Sequence, residues 1–130
     1  MMRFLIAAAL TIAPAFAQGL PTCDGDYSVV RVSTVKPGKM QAFLKAVADH
    51  KQWYRSHGIK DNIIVASRVV ERDSDTHALR YSETEIVTLH IHTPADEGQH
   101  DAAWDAFVAE YRDASDIKSE YRTCMPKLVP

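Results

Sequence analysis

His90 and His92 stand two residues apart in the run Ser82-Glu83-Thr84-Glu85-Ile86-Val87-Thr88-Leu89-His90-Ile91-His92. From Val87 the alternation is strict: Val87, Leu89 and Ile91 point one way, while Thr88, His90 and His92 point the other, the period of an extended strand. Two imidazoles on one strand face lie about 7 Å apart at Cα. Imidazole exchanges protons near neutrality and serves as a general base, and a pair at this spacing is also compatible with joint metal ligation. No third ligand accompanies them in the pattern, so no metal is assigned.

An arginine complements such a pair, because its planar fork holds a carboxylate or an enolate through two hydrogen bonds. Arg31 lies on an earlier strand, Tyr27 to Val35, whose faces divide Val30 and Val32 from Tyr27, Val29, Arg31 and Ser33. His90, His92 and Arg31 are therefore the candidate catalytic residues, with Tyr27, Ser33, Arg68 and Thr88 as candidate ligand-pocket residues. Plainer readings stand beside this one. A His-x-His on an outward face is simply solvated or meets a second subunit, and Arg31 and Arg68 are equally suited to pairing with Glu71, Glu83 or Glu85 across a sheet. No nucleophile elbow, phosphate loop, Cys-His pair or paired-carboxylate motif is visible.

The elements that must position these residues follow from periodicity. Lys36-Pro37-Gly38 breaks the first strand, and Met40, Phe43, Leu44, Val47 and Tyr54 then recur at helical spacing from Lys39 to His57. Gly58 sits where a left-handed residue ends a helix. Asn62 to Arg72 is a second strand with two fairly apolar faces. Asp73 to Leu79 connects it to the histidine strand, and Thr93-Pro94-Ala95-Asp96 forms a turn. From Gly98 to about Asp113, His100, Trp104, Phe107, Val108 and Tyr111 mark a second amphipathic helix and read as packing. Asp113-Ala114-Ser115-Asp116 ends it, and Ile117 to Met125 is the last strand. On the first helix, His50 with Tyr54 and Trp53 with His57 lie four apart, an edge that borders a pocket or merely joins the core.

Strands and helices in the order β-α-β-β-α-β give an α+β, ferredoxin-like domain: a four-stranded antiparallel sheet with two helices on one face. In that topology the first strand neighbours both the third and the fourth, which brings Arg31 beside the histidine strand. The helix-free face exposes Ile64, Val70, Tyr27 and Val29 as an apolar patch that a second copy of the chain would cover. The expected site, with Arg31, His90 and His92 converging, lies on the side away from Val87 and Leu89.

With 130 residues, 46% of them hydrophobic and 25% charged, the chain is one ordinary domain. Met1-Met2-Arg3 followed by Phe4 to Phe16 reads as a signal peptide cleaved after Ala17, its apolar run shorter than the roughly 20 residues of a membrane span and broken by Pro14. The expected organisation is residues 1–17 as leader, 18–26 as an N-terminal segment, 27–125 as the domain and 126–130 as a tail, in a periplasmic or secreted protein. Cleavage removes Arg3 alone among charged residues, so 15 basic groups become 14 against 17 acidic ones, a net charge of −3. No basic stripe remains for nucleic acid or an anionic membrane surface. In an oxidising compartment Cys23 and Cys124, near the two ends of the domain, read as a disulfide, and the adjacency of the first and last strands permits it.

The segment Val35-Lys36-Pro37-Gly38-Lys39-Met40-Gln41-Ala42-Phe43-Leu44 resembles the passage from first strand to first helix in the dimeric α/β-barrel superfamily, which includes the antibiotic biosynthesis monooxygenase and NIPSNAP groups. Element order and domain length agree with it over roughly residues 26 to 125. The resemblance implies a homodimer whose sheets enclose a barrel, with small molecules bound between sheet and helices or within it, and, in some members, oxygenase chemistry without a cofactor. The haem-degrading pattern of an Asn on the first strand with a Trp and a His nearby does not transfer, since the first strand has no Asn and Trp53 and Trp104 lie on helices. Three readings stay open: a monooxygenase-like or isomerase-like enzyme acting without cofactor on a small aromatic or enolisable substrate; a non-catalytic binder of a small hydrophobic or haem-like ligand; and a structural or stress-related dimer with a filled barrel. The reading carried forward is an exported small-molecule-binding barrel.

Overall fold

The computed structural model describes residues 26–94 and 98–125. Residues 1–25, which include the expected leader and Cys23, residues 95–97 and residues 126–130 lie outside the described residues, so the expectations that fall on them are not addressed by the structure.

The elements are β1 (Asp26–Val35), α1 (Met40–Ser56), β2 (Ile63–Arg72), β3 (Leu79–Ile91), α2 (Ala102–Ala114) and β4 (Ser115–Met125). The strands form one antiparallel sheet in the order β2-β3-β1-β4, the ferredoxin-like arrangement expected from the sequence. Among the described residues no helix is long and apolar enough to cross a membrane.

Local chemistry sets the boundaries. Lys36-Pro37-Gly38-Lys39 closes as a turn, with the Lys39 amide donating to the Lys36 carbonyl at 3.0 Å and Gly38 at φ 72°, the pattern of proline followed by glycine in a type II turn. At the other end of α1, Gly58 takes φ 82°, its amide donates to the Arg55 carbonyl, and the Ile59 amide reaches back to the Tyr54 carbonyl. Those paired bonds are a Schellman ending, which satisfies the last carbonyls and seats Ile59 against the core. The second helix starts later than its apolar spacing indicates, because the Asp101 side chain accepts the Trp104 amide as N-cap. It runs directly into β4 at Ser115, two residues before the strand expected from Ile117, with the Ser115 hydroxyl donating to the Tyr111 carbonyl at 3.0 Å.

One core lies between the helices and the sheet, built from Val35, Phe43, Val47, Trp53, Tyr54, Ile64, Ile86, Phe107 and Ala114. Phe43 and Tyr54 are fully enclosed, and truncating an aromatic ring at such a site typically costs about 3–5 kcal/mol.

The sheet faces the helices with the side opposite to the one expected. Ile64, Ile86 and His90 are buried under α1 and α2, whereas Ile63 and Val65 are exposed and Val87, Leu89 and Ile91 are only half-buried. Of the apolar patch anticipated on the open face, Val70 and Tyr27 are exposed, but Ile64 is core and Val29 lines a cavity on the helix side. Strict alternation groups residues by side and is blind to which side receives the helices. β2 is apolar on both sides, so its pattern did not settle the choice.

Candidate functional site

A cavity of about 340 Å³ opens between the sheet and the helices. The sheet contributes Val29, Arg31 and Ser33 from β1 and Thr88 and His90 from β3. Facing them are Phe43 and His50 of α1 and Trp104, Phe107 and Tyr111 of α2. The register explains the sheet's share: Arg31 lies opposite Thr88, and Val29 opposite His90, so all four project to one side.

His50 occupies the centre of an aromatic cage. Its ring stacks on Phe107 with centroids 4.6 Å apart and meets His90, Tyr54 and Trp104 at 5.3, 5.3 and 5.6 Å. Burial, reinforced by the neighbouring His90 and Arg31, pushes its pKa down to about 3, so the imidazole is neutral throughout the physiological range. Its Nε2 is buried with no hydrogen-bond partner. The Tyr111 hydroxyl and the Thr88 Oγ1 are buried and unpartnered as well. Burial raises the Tyr111 pKa against the opposing pull of the Arg31 charge, so this phenol stays protonated. Each unpaired buried polar group typically costs about 1–3 kcal/mol, a cost that a ligand supplying the missing partner removes.

The charged and hydrogen-bonded members are more committed. The Arg31 guanidinium donates through Nε and Nη2 to Glu120 Oε2, at 2.8 and 2.6 Å. The register of β1 on β4 sets Arg31 directly across from Glu120, so none of Glu71, Glu83 and Glu85 is its partner. Glu85 instead pairs with Lys118. His90 Nε2 lies 3.2 Å from the Asn62 side-chain amide nitrogen. The His90 ring packs 5.0 Å from Tyr54.

The remaining sequence-derived candidates are placed apart from this cluster. His92 has φ 57° and stands just past the end of β3, where strand alternation no longer governs it. Its Nδ1 lies 2.6 Å from Asp26 Oδ2, and it does not line the cavity. Arg68 is exposed on β2, the edge strand two places from β1, and does not line the cavity either. Tyr27 is exposed beside a second, shallower recess that it shares with Val29, Thr93 and Arg122. Ser33 and Thr88 do border the main cavity. Arg31 and His90, expected on a helix-free face, stand on the helix-packed face, where they meet residues of both helices.

His50 and Tyr111 line the cavity, although their spacing along the helices reads mainly as packing. His50 continues the Phe43-Val47-Tyr54 stripe, and Tyr111 follows Phe107 by four, so helical spacing presents both as core; an ionisable ring on an apolar stripe was the available signal. Trp53 and His57 serve a different end. The Trp53 indole donates to Asp101 Oδ1 at 2.8 Å, and His57 stacks on that indole at 4.1 Å with its Nε2 3.3 Å from Asp101 Oδ2. They tie the end of α1 to the start of α2. Among the described residues no group of three His, Cys, Asp or Glu side chains is arranged to hold a metal ion.

No family model and no curated protein matches this chain. Among solved structures it is similar to a Chloroflexus aurantiacus J-10-fl protein solved under the provisional name antibiotic biosynthesis monooxygenase, with TM-score 0.50 and 11% identity over 80% of this chain and 96% of that one. A phage SAM lyase in complex with S-methyl-5'-thioadenosine aligns at 14% identity over 82% and 95% of the two chains, but its TM-score of 0.28 carries no argument. At such identities the likeness concerns architecture, and on that ground the chain has the ferredoxin-like α+β fold shared with the antibiotic biosynthesis monooxygenase structure.

Proposed function

We propose that the protein binds a small oxygenated aromatic or enolisable molecule in the cavity between its sheet and helices. The observation that carries this reading is an aromatic-walled space of about 340 Å³ lined by His50, Thr88 and Tyr111, each of which holds a buried polar atom, Nε2, Oγ1 and Oη, without a hydrogen-bond partner. That volume is typical of small-molecule sites, and few polar groups in an apolar wall fix a ligand's orientation. Phe107 and Trp104 offer ring faces and edges for stacking. A ligand hydroxyl reaches the neutral His50 as donor, while the phenol of Tyr111 donates to a ligand carbonyl or oxyanion. Saturable binding of 1-naphthol, followed by quenching of tryptophan fluorescence from Trp104, is the expected result. Absence of saturable binding, with the protein folded, rejects the reading.

Turnover is the second step of the same reading, favoured by the Arg31 charge at the cavity wall. An enolisable ring loses its proton to solvent, its anion is stabilised by the Arg31 guanidinium and the Tyr111 hydroxyl while His50 remains a neutral wall of the site, and molecular oxygen oxidises the ring carbon. The balance is CH2 plus O2 giving C=O plus H2O, with no other reductant. Oxygen uptake with anthrone that is lost in Arg31→Gln supports an enzyme; binding without uptake leaves a carrier.

The same reading places the mature chain outside the cytoplasm as a homodimer. Exposed Ile63, Val65 and Val70 on the sheet, with Tyr81 and Tyr121, form the surface that a second copy covers. A compact monomer in sedimentation at micromolar concentration rejects the dimer.

A further inference from the structure

The charged residues that border the cavity are its more exposed ones: Arg112, Arg122 and Glu120 are exposed and Arg31 is half-buried, whereas Phe43, His90 and Phe107 are buried, so three arginines stand against one carboxylate towards the cavity's mouth. Glu120 is already bound to Arg31, and among the described residues neither Arg112 nor Arg122 has a carboxylate within ion-pair distance. The whole chain has 17 acidic against 15 basic residues, so unpaired positive charge at one opening runs against its average.

Register accounts for the imbalance. Arg122 lies across from Val29, which cannot pair with it, and shares a strand face with Glu120, about 7 Å away at Cα. Arg112 stands in the last turn of α2, where a cation complements the helix dipole. Arg122 has no such duty, and it borders both the main cavity and the recess beside Tyr27.

We infer that Arg122 is a specificity residue that receives a carboxylate on the ligand, so the ligand is an aromatic acid bound ring-first. The inference rests on the binding reading above and adds its chemical class and orientation. The inner wall holds a neutral imidazole, a phenol and a hydroxyl but no cation of its own, a setting that disfavours a permanently ionised carboxylate. The guanidinium fork at the mouth matches a carboxylate and leaves it in contact with water.

The test compares 5-hydroxy-1-naphthoic acid, whose hydroxyl and carboxylate stand on opposite rings, with 1-naphthol by calorimetric titration at low salt. The acid is expected to bind about tenfold tighter or more, the range of a charge-assisted hydrogen bond. Arg122→Gln should bring the acid to the level of 1-naphthol and leave 1-naphthol unchanged, and Glu120→Gln, which releases Arg31, should tighten the acid alone. Should Arg122→Gln not fold, Arg122→Lys, which keeps the charge without the fork, should give an intermediate preference. Equal binding of the two compounds by the native protein, or an unchanged preference in the Arg122 variant, overturns the inference and leaves the binding reading intact. Failure of both compounds to bind overturns the two together.

Discussion

The imidazoles of His50 and His90 meet edge to face across the boundary between α1 and β3, their centroids 5.3 Å apart at 79°. Protonating His50 there would place a cation in a desolvated cage beside a second imidazole and Arg31. The ring therefore stays neutral in the folded protein, with consequences for both stability and binding.

Stability should depend on pH through His50. Its folded pKa of about 3 lies below the ordinary imidazole value of 6.5, so between these values the unfolded chain binds the extra proton. Stability from this group is fully present above pH 6.5 and is lost as pH falls towards 3, at no more than about 1.4 kcal/mol per pH unit. Urea titrations of the native protein and His50→Phe from pH 7 to pH 4 should diverge, the variant losing less. Parallel curves would exclude a buried neutral His50.

Removing the Tyr111 hydroxyl should separate packing from binding. The oxygen has no partner, so Tyr111→Phe should leave stability unchanged or raise it by up to about 1 kcal/mol, while 1-naphthol affinity falls several-fold. Thermal melts and fluorescence titration on the same samples decide. A loss of stability with binding intact would show that the hydroxyl belongs to the core.

A charge on the open face of the sheet should act on assembly alone. Val65 is 38% exposed on β2, so Val65→Glu should leave the melting behaviour of the subunit within about 0.5 kcal/mol while shifting a dimer to monomer. Sedimentation velocity across a concentration series reads the change. A variant that sediments like the native protein would place any dimer contact elsewhere.

The cysteine pairing expected from the sequence is open to direct chemistry. Cys124 lies opposite Tyr27 in the β1–β4 register, four residues along the chain from Cys23. Unfolded, non-reduced protein should show no reactive thiol, and reduction should lower stability by about 2–4 kcal/mol. Two titratable thiols per chain would refute the bridge.

The sequence by itself determined the element order, the turn at Pro37-Gly38, the helix ending at Gly58 and the grouping of Arg31 with Ser33 and of Thr88 with His90. These follow from periods of 3.6 and 2.0 and from the backbone preferences of proline and glycine, which act within a few residues along the chain. Only the tertiary structure decided which side of the sheet meets the helices, because alternation reads the same when a sheet is turned over. It also decided that His92 leaves the group, through a left-handed residue just past β3, and that Arg31 takes Glu120, through the β1–β4 register. His50 and Tyr111 come to line the cavity for the same reason: helical spacing puts them on apolar stripes, and only the fit of two helices over a polar strip of sheet left their nitrogen and oxygen unpartnered beside it.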